Sequence, residues 1–195
     1  ITMIDEIYLA LSHDDQFGHT ALALDDQVIS INSFSKYFNM TGWRLGWMVV
    51  PQDLVPVIER LAQNLFICPS TIAQHAALAC FEPESIALYE ARRAEFKARR
   101  DYFIPALRDL GFSIPVEPDG AFYVWADCSE LCGRLGLQSS WEFAFEVMNR
   151  AHVAITPGRD FGTAQTAQFV RFSTASSMQQ LETAILRLRA MLTSV

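Results

Sequence analysis

The 195 residues carry a formal net charge of −7 at pH 7, with 51% hydrophobic and 19% charged. That length and composition predict a large buried core and exclude disorder, and the acidic balance excludes a general nucleic-acid surface. The basic residues Arg92, Arg93, Lys97, Arg99 and Arg100 alternate with Glu90, Glu95 and Asp101, which reads as a solvated helix face.

Ile1 to Ile4 is a short apolar run that reads as a buried parallel strand, and its polar end places Asp5 and Tyr8 at the mouth of a crevice. The sequence opens on Ile1 without methionine, so the chain reads as the C-terminal part of a longer protein. Ser12 to Gly18 is turn-like. Val28 to Ile31 is a second strand leading into Ser33 and Lys36, and Trp47 to Val50 is a third, stopped by Pro51. Leu54, Val57, Ile58, Leu61 and Leu65 recur at helical spacing, with Pro56 tolerated in the first turn. Thr71 and Gln74 form a capping-box pattern for a second helix through about Phe81.

A long helix follows from Ser85 to Leu110, containing Pro105 and ended by Gly111. The chain is divided there into residues 1–88 and 89–195. Beyond it the pattern predicts strands at 112–116, 121–125, 153–155 and 169–172, a helix capped by Ser139 and Glu142, and a final helix opened by Ser177 and Gln180. The cysteines Cys68, Cys80, Cys128 and Cys132 lack paired zinc-type spacing and read as reduced core thiols in a cytoplasmic protein. No signal peptide and no membrane-length apolar run stands out.

The stretch SFSKYFNMTGWRLGW, Ser33 to Trp47, holds the chemistry. Lys36 lies between hydroxyl residues and a glycine-flanked arginine, Arg44. A lysine acts as a nucleophile or base only when uncharged, and a neighbouring cation in a partly dry site lowers its pKa. An arginine at a fixed offset offers a planar fork for a phosphate dianion.

The ordered set Asp5-x-x-Tyr8, Ser33-x-x-Lys36, Gly42-x-Arg44-x-Gly46 and Arg171 resembles the fold type I pyridoxal phosphate enzymes, among them the class I/II aminotransferases. Gly120 to Trp125 (GAFYVW), Thr156 to Gly162 (TPGRDFG) and Val170 to Ser173 (VRFS) extend the similarity over nearly the whole chain. The resemblance implies an α/β fold: the C-terminal part of a large cofactor domain, with a mostly parallel sheet and helices, followed by a small α+β domain. It implies pyridoxal 5'-phosphate as cofactor, an amino acid and a 2-oxo acid as substrates, and a homodimer with Ser70 and its surroundings near the interface.

By the same resemblance, Lys36 bonds covalently to the cofactor aldehyde and later carries a proton between substrate and cofactor. Asp5 pairs with the pyridine nitrogen, Tyr8 meets the ring's phenolic oxygen, and Arg44 with Ser33 holds the phosphate. Arg171 grips the substrate α-carboxylate, with a structural ion pair as the competing reading for an arginine in an apolar strand. Tyr123, Trp125 and Phe161 line the pocket or fill the core. A carbon–sulfur lyase or decarboxylase of the same fold fits these motifs, as does the aminotransferase-like sensing domain of a transcription regulator. The 195 residues alone are expected to bind cofactor weakly or not at all and to associate through an uncovered sheet edge and helix face.

Overall fold

The computed structural model describes residues 1–14, 16 and 18–193; of the turn expected at 12–18, Asp15 and Phe17 lie outside the described residues. Two compact units divide the chain, Ile1–Ala94 with Asp119–Ala121, and Glu95–Pro118 with Phe122–Val195.

The first unit contains a three-stranded sheet of order β1 (Met3–Asp5), β2 (Ile29–Ser33), β3 (Gly46–Val49). β1 and β2 are parallel, with Asp5 opposite Ile31, whereas β3 runs antiparallel to β2, with Ser33 opposite Gly46. β1 is parallel as expected but not buried, because it is an edge strand with a neighbour on one side only. Parallel pairing brings the carboxyl ends of β1 and β2 to one edge, where polar side chains emerge from the sheet.

Beneath β2 and the following turn lies a small core of Phe34, Met40, Leu45, Ala73, Ala77, Cys80 and Tyr89. It is closed by α2 (Thr71–Leu78, with α1 spanning Val55–Leu65 before it) and by the start of α3 (Pro83–Asp109). α1 forms where its apolar spacing predicts, with proline in its first turn, but no residue of it is buried. The expected capping box at Thr71 is absent. Ser70 occupies the N-cap without a side-chain bond, and Gln74 donates instead to the Pro69 carbonyl at 3.1 Å. Cys68 is exposed rather than a core thiol, while Cys80, Cys128 and Cys132 are buried.

In the second unit the sheet order is β4 (Tyr123–Asp127), β6 (Phe169–Ser173), β5 (Thr156–Pro157), antiparallel throughout. One face packs Val124, Ala126, Val170 and Phe172 against helix residues from α3, α4 (Ser129–Leu135), α5 (Ser140–Ala151) and α6 (Met178–Thr193). Phe103, Leu107, Leu131, Phe143, Val147 and Leu188 fill that interior. The other face carries Tyr123, Trp125, Phe169 and Arg171, half-buried.

Residues 112–116 do not form the expected strand. Ser113 makes one bridge to Asp127, and Pro115, which has no N–H to donate, prevents a longer ladder. The strand expected at 153–155 lies at Thr156–Pro157. The caps of α5 and α6 form as predicted: Ser139 accepts from the Glu142 N–H, and Ser177 and Gln180 bond reciprocally at 3.1 and 3.3 Å.

Candidate active site

In the first unit the site is built from strand ends. β1 stops at Asp5, whose carboxylate accepts the Ile7 N–H at 3.1 Å and turns the chain toward Tyr8. β2 stops at Ser33, and the turn that follows carries Lys36. The Lys36 Nζ lies 5.5 Å from the centre of the Tyr8 ring. Residues 28 positions apart in sequence are thus joined by the parallel register of two short strands.

The lysine turn is held on its underside by its own aromatic neighbours. Phe34 and Phe38 pack with ring centres 4.9 Å apart, Tyr37 and Phe38 at 5.1 Å, and Tyr37 and Tyr89 at 5.3 Å. The Tyr37 hydroxyl donates to Glu90 Oε1 at 2.6 Å, and burial together with this acidic partner pushes its pKa far upward. Phe34, Tyr37 and Phe38 pack into or against the small core, and Lys36 between them is half-buried. The chain has one other lysine, Lys97, which pairs with Asp101 at 2.8 Å on the surface of α3.

Hydroxyls and backbone then tie the arginine to the lysine. Ser33 donates toward Ser35 Oγ at 2.9 Å and toward the Leu45 carbonyl at 3.3 Å, and the Ser35 N–H returns to Ser33 Oγ at 3.0 Å. Thr41 donates to the Ser35 carbonyl at 2.6 Å, and Arg44 Nη1 donates to the Thr41 carbonyl at 3.0 Å. Arg44 itself has left-handed backbone (φ 53°, ψ 50°), uncommon for a residue with a side chain. Its side chain is exposed, and among the described residues it bonds a carbonyl rather than the carboxylate a structural ion pair would supply. Gly46, opposite Ser33, is required: a Cβ there would come within 2.7 Å of the Asn32 carbonyl oxygen.

Glu6 is a residue that the motif reading passed over. Only 7% exposed, it accepts from Thr20 Oγ1 (2.8 Å), the Ala21 N–H (2.7 Å), Ser30 Oγ (2.7 Å) and Asn32 Nδ2 (3.5 Å). Burial alone would raise its pKa, but the hydrogen bonds to its charged form outweigh burial and hold it below the usual value. Glu6 thereby locks the end of β1, between Asp5 and Tyr8, onto β2.

In the second unit, Arg171 stands on the half-buried face of β6, so alternation along the strand explains how a cation sits among Phe169, Val170 and Phe172. The expected ion-pair alternative fails: among the described residues no carboxylate pairs with it. Its guanidinium carbon lies over the Tyr123 ring at 4.2 Å and the Phe161 ring at 4.4 Å, and its Nε is buried without a hydrogen-bond partner. Asp5, Tyr8, Ser33, Lys36 and Arg44 therefore share the first unit, and Arg171 belongs to the second.

The Lys36 amine near the Tyr8 ring and the hydrogen-bonded turn from Ser33 to Arg44 thus lie in one unit. The aminotransferase class I and II family model matches residues 1–188, and the chain belongs to that family. It is 39% identical over 166 residues to the valine–pyruvate aminotransferase of Mycobacterium tuberculosis, covering 85% of this chain and 42% of that protein. It is 35% identical over 191 residues to the aspartate aminotransferase of Bacillus subtilis, covering 95% and 47%. The crystal structure of an aminotransferase from Mycobacterium tuberculosis superposes with a TM-score of 0.89 at 36% identity, over 99% of this chain and 49% of that one. The chain spans about half the length of the curated relatives it matches.

Proposed function

We propose that the protein is a pyridoxal phosphate-dependent aminotransferase, moving an amino group from an amino acid to a 2-oxo acid. The observation that carries this reading is the placement of Lys36 beside Tyr8, on a turn shared with Ser33 and Arg44. The donor set fits the cofactor group by group. Asp5 offers an anion for a protonated ring nitrogen, Tyr8 a phenol for the ring oxygen, Lys36 an amine for the aldehyde, and Ser33 with Arg44 a hydroxyl and a fork for the phosphate. When bound, pyridoxal phosphate supplies the electron sink that makes a proton on the substrate Cα removable.

Each residue then has a task of its own. Arg171 binds the substrate carboxylate through in-plane N–H groups and so fixes the direction of the Cα–H bond. The Lys36 amine takes that proton as a base and returns it as an acid, and the Tyr8 ring beside it limits where the amine can swing. Arg44 and Ser33 anchor the phosphate through the same turn that carries the lysine, which keeps the reacting end in register with Nζ. A homodimer is part of this reading, supported by apolar residues exposed on α1 and α2.

In the holoenzyme, Lys36→Ala is expected to abolish the visible chromophore that borohydride reduces, without changing the fold measured by circular dichroism. A chromophore that survives in this variant contradicts the assignment of Lys36.

A further inference from the structure

Arg171 presents a physical problem that its neighbours solve. A long side chain with several rotatable bonds must be held still to orient a ligand, and the common device is a carboxylate partner. Such a partner would occupy the in-plane N–H edge and neutralise the charge that a substrate carboxylate needs. Here the guanidinium instead lies over two aromatic rings, Tyr123 at 4.2 Å and Phe161 at 4.4 Å. A ring face attracts a cation without consuming its in-plane donors. The buried Nε without a partner shows that hydrogen-bonding capacity in that plane is still unspent.

Both rings are themselves fixed. On β4, Tyr123 lies two residues from Trp125, and Trp125 is the cross-strand partner of Arg171. Tyr123 is therefore a diagonal neighbour of the arginine on the same sheet face. Phe161 closes the tight turn Gly158–Phe161, which begins at a glycine whose Cβ would collide with the carbonyls of Thr166 and Phe169. Behind Phe161, Trp125 packs edge-on at 5.5 Å and in turn stacks on Phe169 at 5.3 Å and 12°.

We propose that Tyr123 and Phe161 are positioning residues that hold the guanidinium of Arg171 by its faces and leave its N–H edge to the substrate carboxylate. The inference rests on the reading of Arg171 as the carboxylate-binding residue, and it adds how that residue is held. With its charge held against ring faces rather than by a carboxylate, the arginine keeps in-plane N–H groups for a ligand carboxylate.

Steady-state kinetics of the holoenzyme with varied amino acid tests this. Phe161→Leu keeps an apolar side chain at a position 45% exposed and removes the ring. It is expected to raise KM about tenfold, or about 1.4 kcal/mol, with a smaller change in kcat. Phe161→Tyr is expected to restore KM to within about twofold, since its ring face is retained. Tyr123→Leu and Tyr123→Phe should repeat the pattern, and they decide the matter if Phe161→Leu does not fold. Arg171→Lys separates the two levels: it should raise KM more than either ring variant does. If Arg171→Lys does so while both leucine variants keep the parent KM, the positioning role is overturned and the carboxylate reading stands. An unchanged KM in Arg171→Lys removes the carboxylate reading, and the inference with it.

Discussion

Glu6 shows what a single buried carboxylate contributes at the end of β1. Its four donors come from residues 14 to 26 positions away, so nothing in the adjacent sequence marks it as different from Asp5. Lys36 and Arg44 stand out in the sequence through a fixed spacing within one turn, and Arg171 because it interrupts an apolar strand. The left-handed backbone of Arg44 and the rings over Arg171 do not, since both depend on tertiary contacts. The folded-state pKa of Glu6 is depressed, so its contribution to stability is present above the unfolded value of about 4.5 and is lost as pH falls through the folded value. Thermal melts between pH 7 and pH 3 should therefore show Tm falling below about pH 4.5, with a shallower fall in Glu6→Gln. At pH 7 the same variant should be less stable by about 2 kcal/mol, the scale of hydrogen bonds to a charged group. Parallel pH profiles for parent and variant would contradict this account of Glu6.

At the scale of elements, the helices at Ser140–Ala151 and Met178–Thr193 begin at the caps their sequences predict. The Ser177–Gln180 box forms because both members and the N–H groups they satisfy lie within one turn. The same pattern at Thr71 fails because the chain enters that helix one residue earlier, at Ser70. Strands were harder: 112–116 has buried Phe112 and Ile114 as a strand would, but Pro115 removes a donor that pairing requires. β3 was placed within one residue, while its antiparallel direction depends on the Lys36–Arg44 turn reversing the chain. Gly46 tests how tightly that turn is coupled to the sheet. Gly46→Ala would push a Cβ against the Asn32 carbonyl, so β3 must move away from β2 just opposite Ser33. We expect a loss of about 2–3 kcal/mol in denaturant unfolding and weaker cofactor binding by fluorescence titration. Parent-like values of both would show that β3 can shift without disturbing the site.

For the whole molecule, the two units differ in how completely they cover themselves. The second unit closes one face of its sheet with helices, and its core residues are almost wholly buried. The first exposes Val57, Leu61, Leu65, Phe66, Ile67, Ile72, Leu78 and Phe81 on and around α1 and α2, with Leu65 at 76%. Helical spacing in the sequence announced that α1 has an apolar face, but periodicity does not say what covers it. Apolar residues exposed in this number favour association. Sedimentation of the 195-residue chain should therefore show mass rising with concentration, and Leu61→Lys with Leu65→Lys should suppress the rise; a concentration-independent monomer would contradict this. The proposed covalent bond between Lys36 and the cofactor can be tested directly, because the chain has two lysines. Borohydride reduction of the holoenzyme followed by peptide mass spectrometry should place the pyridoxyl adduct on Lys36. An adduct on Lys97, or none on either lysine, would contradict the account.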